Sequence, residues 1–431
     1  MGKDGAMDPA SPPDSVHVWL ASPASESARA EAVDLLSTKT PIAAATAFAH
    51  THPHHSATYR AAVLGAAALD IAARGKGYPP GLLWTRTGQE QSTGPLPAAR
   101  RAHLLRAAGI RSVVDLTAGL GMDSRAMLEE GISVTSVEAD PATASFLEHN
   151  LAAVEKSAAV DTELLDVPTW QVMLGNCTDP QLVDELNRRQ PDAWFIDPAR
   201  RATAHDGHRT RPERDPELWS PPWSFVEGLL PAKVAAKAAP GFSPGPQWHA
   251  EWVSVNRTVV ECALYSWPVL EGARQAAVWL DGWQTIVALP ADDESQSDTG
   301  DADIEDLLLE VDAAVVTSGA LFALANEIPG SHRVDPLSSW LTAPQIDRTQ
   351  RNRALIRAFR VIDEVPSSPK RLREALRARG ITSIALKTGD VRIDAARLRR
   401  ELRVGDDDSK AVVFTKTETG SRAFIVERVR F

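Results

Sequence analysis

The sequence predicts an α/β protein built on an open parallel sheet, with a helical region before it and a small α/β domain after it. Three observations carry this. Short apolar runs alternate with helical periodicities between residues 112 and 238, which is the pattern of a parallel sheet covered by helices. The first of these runs ends in a glycine-containing turn, Gly119 and Gly121, that leads into a helix. The last 70 or so residues repeat a strand–helix alternation of their own.

Residues 25–77 are alanine-rich, and 59–74 place apolar residues at helical spacing. Lys76, Gly77, Pro79, Pro80 and Gly81 break that helix. A buried-type strand follows at 112–116, then the turn to Gly121, a helix at 124–130 stopped by Gly131, and a strand at 133–137. Pro141 suits the first turn of a helix over 141–154. Strands at 193–196 and 234–238 end at Asp197-Pro198 and Pro240-Gly241. From 251 to 290 the pattern becomes four short β-type runs, at 252–255, 259–265, 276–280 and 285–289. They either complete the first sheet or form a small inserted one. Residues 292–303, rich in Asp, Ser and Gly, read as a disordered loop. The tail alternates strand 360–365, helix 370–379, strand 381–386, helix 394–402 and a hairpin at 411–416 and 423–429. The expected domains are therefore a helical region (1–95), the main α/β domain (96–290), an acidic flexible loop (291–310), a connecting segment (311–359) and the C-terminal domain (360–431).

At 431 residues the chain exceeds one ordinary core. Its 43% hydrophobic and 24% charged residues are those of a soluble globular protein. There is no apolar run of membrane length, and Met1 to Ser15, with three Asp and no apolar core, does not read as a signal peptide. Two cysteines, Cys177 and Cys262, exclude a disulfide framework and a zinc module and point to a reducing, cytoplasmic protein. The net charge of −11 conceals an acidic stretch from Asp281 to Asp312 and a basic one from Arg348 to Arg403, where cations outnumber anions by more than two to one.

The turn after the first strand has nucleotide-site chemistry. Glycines let a ligand approach the backbone, and the following helix directs free N–H groups into the same space. Glu138 ends the next strand 19 residues after Gly119, close to the ~20-residue spacing of an acid that binds ribose hydroxyls. Ser124 stands where the dinucleotide fingerprint needs a third glycine. Asp115 precedes the glycines, and a carboxylate there suits an ammonium better than a pyrophosphate. Chemistry thus favours S-adenosylmethionine over NAD. His50, His52, His54 and His55 fit a surface turn at Pro53 better than a metal site, and no metal is expected. Most of the twelve tryptophans fit core positions.

The run from Val113 to Ser124 resembles the first motif of class I methyltransferases, and Ser136 to Asp140 resembles their second. The resemblance implies that the backbone of Thr117, Ala118, Gly119 and Gly121 holds the methionine part, that Asp115 faces its amino group, and that Glu138 holds the ribose. Asp123, Ala139, Asn176 and Asp197, of which Asn176 resembles the third motif, join the implied cofactor set. Asp197-Pro198-Ala199-Arg200 falls where the fourth motif lies and makes Asp197, Pro198 and Arg200 the catalytic candidates. The usual second Pro and aromatic are replaced by Ala199 and Arg200. The Asp-Pro-x-Arg form also resembles enzymes that methylate uridine carbon-5, but those need a thiol nucleophile, and neither cysteine is placed as theirs is. Arg200, Arg201, Arg209, Arg211 and Arg214 crowd the next loop, either as phosphate binders or as solvated charges balanced by Asp206, Glu213 and Asp215.

Residues 86–93 and 98–102, the Asp197–Arg201 run, Lys370 to Gly380 and Leu386 to Gly389 resemble bacterial class I methyltransferases that carry a C-terminal THUMP-like domain. That resemblance spans most of residues 80–431 and implies RNA, such as tRNA or rRNA, as the substrate. A small-molecule or protein acceptor, and a non-catalytic RNA-binding scaffold, stay open at this point.

Overall fold

The computed structural model describes residues 16–158, 167–200, 213–289, 304–336, 338–388, 391, 393–407, 409–417 and 420–430. Met1 to Ser15, the arginine-rich segment 201–212 and the acidic stretch 292–303 lie outside them. The chain divides into two compact units, Met1–Lys237 and Ala238–Phe431.

The first unit begins with helices α1 (Val16–Ala21), α2 (Glu26–Thr38), α3 (Pro41–Thr51) and α4 (Ala57–Arg74). Thr40 and Ser56 cap α3 and α4 by accepting from Ala43 N and Tyr59 N, which satisfies a free helix-end donor in each case. Val63, Ala66, Ala67 and Ala73 form the buried stripe of α4. They pack with Phe48, Leu82, Leu83 and Trp84, and that core continues into Leu120, Met122 and Phe146 of the α/β part. Two further helices, α5 (Arg86–Gln91) and α6 (Pro95–Ala107), lead to strand β1 (Ser112–Asp115).

After β1 come α7 (Met122–Glu129), β2 (Ser133–Glu138), α8 (Pro141–Ala158), β3 (Trp170–Leu174), α9 (Pro180–Arg188), β4 (Ala193–Ile196), α10 (Trp223–Gly228) and β5 (Val234–Ala238). These strands run in the order β3-β2-β1-β4-β5, and all their pairings are parallel. β4 and β5 are buried along their whole length, as a strand covered on both faces must be. The chain moves outward from β1 to β3 and then returns to the other side of β1. The crevice at the carboxyl ends of β1 and β4 is therefore the switch point where such sheets bind ligands.

In the second unit β6 (His249–Val255), β7 (Thr258–Tyr265), β8 (Arg274–Leu280) and β9 (Trp283–Leu289) run in the order β7-β6-β8-β9. Next come β10 (Leu307–Val311), α11 (Ala313–Ser318), α12 (Leu321–Glu327), β11 (His332–Arg333), β12 (Trp340–Ala343), α13 (Gln350–Leu355), β13 (Ile356–Val365), α14 (Pro369–Ala378), β14 (Ala385–Lys387), α15 (Ala395–Leu402), β15 (Lys410–Thr417) and β16 (Gly420–Arg428). Their strands form a seven-stranded sheet, β11-β12-β10-β13-β16-β15-β14. Val412 and Phe414 of β15 face the core that holds Leu372 and Leu376 of α14 and Leu398 and Leu402 of α15. Ala411 and Val413 face the opposite core with Leu308, Trp340 and Phe359. This is the two-residue alternation of a sheet buried on both sides.

Four expectations change here. The acidic loop does not reach residue 310, because Leu307, Leu308 and Leu309 are buried in β10, between β12 and β13. Residues 311–359 do more than connect, since they supply α11 to α13 and two strands of the seven-stranded sheet. The strand expected at 360 starts at Ile356. The strand expected over 381–386 shrinks to Ala385–Lys387, its lead-in joined to Gly405 by one isolated bridge at Ser383.

Candidate active site

The turn from Leu116 to Gly121 is fixed from three directions. Gly119 and Gly121 have φ of +54° and +84°, which disfavours any residue with a Cβ. A Cβ on Gly121 would also collide with Leu147 Cδ1 of α8, whereas one on Gly119 would meet nothing within 4 Å. The outer glycine thus opens onto free space and the inner one permits close packing. From α8, fully buried Asn150 donates to Leu120 O (3.0 Å) and Leu83 O (3.1 Å) and accepts from Leu83 N (2.8 Å), which ties the turn to the segment before α5. Gly88 of α5 lies so close to Leu120 that a Cβ there would clash.

Asp115 lies beneath the turn, 1% exposed. Its Oδ2 accepts from Ser124 Oγ at 2.6 Å, its Oδ1 from Thr117 N at 3.2 Å, and Ser124 Oγ also meets Ser136 Oγ at 2.8 Å. Burial pushes the Asp115 carboxyl up to about 7, against the Ser124 hydrogen bond, and neighbouring Asp123 adds to the rise. The serine that replaces the dinucleotide glycine is therefore Asp115's partner. Asp115 was expected to face the cofactor's amino group; its side chain instead braces the turn from inside.

Asp123, in the first turn of α7, is also turned inward. It accepts from Arg101 Nε (3.0 Å) and from the Thr93 hydroxyl, and Lys237 Nζ is 3.9 Å away. Burial opposes its charge, but Arg101 and Lys237 outweigh burial and hold its carboxyl below the ordinary value. The expected cofactor role for the Asp123 side chain gives way to this ion network, because a buried carboxylate needs its charge matched.

At the neighbouring strand ends, Glu138 is half-buried and its Oε1 accepts from Asp140 N at 2.8 Å. Ala139 is exposed beside it, and Ala118 N donates to Val137 O at 3.1 Å. Asn176 is exposed just past β3 and uses Oδ1 to cap Thr178 N and Oγ1 (3.0 and 2.9 Å). Asp197 N donates to Thr117 Oγ1 at 2.7 Å, which bonds the ends of β1 and β4. Pro198 is buried, and Ala199 pairs with Ser220 in both directions. Arg200 is half-buried, and its carbonyl accepts from Glu213 N. Arg201, Arg209 and Arg211 lie outside the described residues.

Sequence reading did not find Thr93, Arg101 and Lys237. Lys237 Nζ donates to Asp197 Oδ2 at 2.5 Å and to Thr93 Oγ1 at 2.6 Å. The signal was present: a lone lysine at the carboxyl end of an otherwise apolar strand, beside the strand that ends in Asp197. Both thiols are poor nucleophile candidates. Burial lifts Cys177 to about 11 and raises Cys262 as well, which keeps them protonated. Among the described residues no cluster of His, Cys, Asp or Glu could hold a metal ion, and no helix is long and apolar enough to cross a membrane. His52 pairs with Glu31, and His55 stacks on Tyr59.

The second unit presents a different feature. An open groove of about 370 Å³ between α14 and α15 is lined by Pro369, Lys370, Arg373, Arg400, Glu401 and Arg403. Leu372 and Leu376 point one face of α14 into the core, and Leu398 and Leu402 do the same for α15, so the cations occupy the outward faces.

Comparison with known proteins agrees with this layout. The THUMP domain-like family matches residues 356–428, the span from β13 to the end of β16. Two uncharacterized S-adenosylmethionine-dependent methyltransferases of Mycobacterium tuberculosis, from strains CDC 1551 and H37Rv, are each 27% identical over 355 residues, covering 80% of this chain and 88% of theirs. The crystal structure of a proposed methyltransferase from Porphyromonas gingivalis W83 superposes with a TM-score of 0.65 at 19% identity, covering 87% of this chain and 92% of that one. That likeness is one of fold, and the fold is the class I methyltransferase sheet followed by a THUMP-like domain.

Proposed function

We propose that this protein, an S-adenosylmethionine-dependent methyltransferase with a C-terminal THUMP-like domain, methylates RNA. The single observation behind the RNA assignment is the groove between α14 and α15. Lys370, Arg373, Arg400 and Arg403 surround it with one acid, Glu401, and a groove of that charge suits a phosphate backbone. It lies within the THUMP-like span, and THUMP domains are associated with delivering RNA to modifying enzymes.

The chain's own residues divide the work at the sheet edge. The backbone of Thr117, Ala118, Gly119 and Gly121 takes the methionine part, with open space above Gly119 to admit it. Asp115 acts from behind by fixing Thr117 N. Glu138 takes the ribose hydroxyls, and Ala139 and Asn176 border the adenine. Bound S-adenosylmethionine supplies a methyl carbon already activated by its sulfonium. Asp197 orients the acceptor and receives the proton it gives up, Pro198 shapes that turn, and Arg200 meets a phosphate or carboxylate of the acceptor.

Isothermal titration with S-adenosylhomocysteine tests the cofactor half; heat of binding is expected, and its absence in several buffers contradicts the reading. Filter binding of bulk tRNA over a salt series tests the RNA half. Affinity should fall as salt rises, while a flat response or no binding would point to a protein or small-molecule acceptor.

A further inference from the structure

We infer that Lys237 is a positioning residue for methyl transfer: it seizes one oxygen of Asp197 and presents the other to the acceptor. The inference rests on the reading of Asp197 as the acceptor-orienting carboxylate. Four observations lead to it. First, β5 reads Val-Ala-Ala-Lys-Ala and is buried throughout. Lysine is almost never buried without a partner, so its presence there needs a reason. Second, the register pairs Ile196 with Ala236, so the next step along both parallel strands brings Asp197 beside Lys237. Third, the ammonium donates to Asp197 Oδ2 at 2.5 Å and to Thr93 Oγ1 at 2.6 Å, with Asp123 at 3.9 Å. Fourth, Arg101 and Asp123 form their own buried pair next to it, joined through Thr93. Of these four charged side chains two are cationic and two anionic, so each of these charges has an opposite charge beside it.

The two ends of this network differ in exposure. The Asp123 side chain is 9% exposed, and the Asp197 side chain is 31% exposed. The network is thus anchored in the interior at Asp123 and more open at Asp197. Among the described residues two bonds hold Asp197: its N–H to Thr117 Oγ1 and its Oδ2 to Lys237 Nζ. With Oδ2 committed, Oδ1 is the oxygen available to accept from an N–H or O–H acceptor and to take its proton. Without Lys237 the carboxylate would keep its backbone anchor and lose its side-chain one. Orientation would suffer while the cofactor turn, held by Asn150 and the glycines, would not.

The test uses the full chain as parent, Lys237→Met, Lys237→Arg, Thr93→Val and Asp197→Asn. Labelled-methyl transfer is measured into bulk RNA and bulk protein, S-adenosylhomocysteine affinity by titration, and the Asp197 pose by a crystal structure of Lys237→Met. Lys237→Met should lower kcat roughly 100-fold, in the range of a lost proton-transfer alignment, with acceptor KM and S-adenosylhomocysteine affinity within about 3-fold of the parent. Lys237→Arg should restore at least about a tenth of the parental rate, since it retains the cation. Should Lys237→Met fail to fold, Thr93→Val removes one anchor of the ammonium and the hydroxyl bond to Asp123 while leaving the Lys237–Asp197 pair, and should give a smaller loss of the same kind. An active Lys237→Met beside an inactive Asp197→Asn would overturn the role of Lys237 alone. An active Asp197→Asn would instead overturn the assignment on which it rests. If neither extract accepts label, the crystal structure decides: a reoriented Asp197 carboxylate supports the inference, and an unchanged one refutes it.

Discussion

The two charged regions of this protein are built on opposite rules. At the cofactor edge of the first unit three acids are tied to the chain itself: Asp115 to Ser124 and Thr117, Asp123 to Arg101 and Thr93, Asp197 to Lys237. Around the groove of the second unit, Lys370, Arg400 and Arg403 stand exposed. Buried charge must be neutralised within the fold, whereas exposed charge is screened by solvent and free to meet a ligand. The first region holds its acids in fixed geometry, and the second presents cations suited to an anionic partner of the kind proposed.

The largest expected effect tests whether Asp115 is a buried brace. Its native value of about 7 lies above the ordinary 3.8. The folded form therefore keeps a proton that the unfolded chain has already released between those values. Stability should fall as pH rises from about 4 to 7, by no more than about 4 kcal/mol for this group. Asp115→Asn should flatten that segment of the curve, read as denaturant midpoints at several pH values; an unchanged slope would mean that Asp115 is solvated. Next in size, Gly121→Ala forces a Cβ into a left-handed backbone and against Leu147. A loss of roughly 2–4 kcal/mol is expected, together with weakened S-adenosylhomocysteine binding, and a thermal melt matching the parent would count against the packing argument.

How much of this was legible in the sequence varies by element. β4 and β5 could be read to the residue, because both are apolar runs cut by Asp-Pro and Pro-Gly. β3 could not: it lies at the sheet edge, and half-buried Trp170 with exposed Gln171 and Leu174 carries no buried pattern. β10 was hidden by the acidic stretch before it, although its three consecutive leucines are interior. The glycine turn, Glu138 and Asp197 were legible as a set because each ends a strand at a spacing that the fold imposes. Their partners were not, because Thr93, Arg101 and Lys237 are brought together from α6, its lead-in and β5 by tertiary packing alone. Local pattern named the acids, and only packing showed which of them face inward.

Two smaller effects sharpen the contrast between the regions. Glu138→Ala should weaken S-adenosylhomocysteine about 10- to 100-fold, the worth of hydrogen bonds to a charged group, with the melting temperature nearly unchanged. A comparable loss of stability would make Glu138 structural. In the second unit, the double change Arg373→Gln and Arg400→Gln should leave both the melt and S-adenosylhomocysteine binding intact. It should lower the slope of log affinity for tRNA against log salt by about 1.4–1.8, depending on strandedness. An unaltered slope would exclude the groove from the RNA path.

Labelled-methyl transfer from S-adenosylmethionine into total RNA and total protein extracts tests the proposed methylation of RNA at the edge formed by β1 and β4. Label is expected in RNA, with none from Asp197→Ala and less from the Arg373→Gln and Arg400→Gln protein. Label in protein alone, or none from a folded parent that binds S-adenosylhomocysteine, would contradict the account.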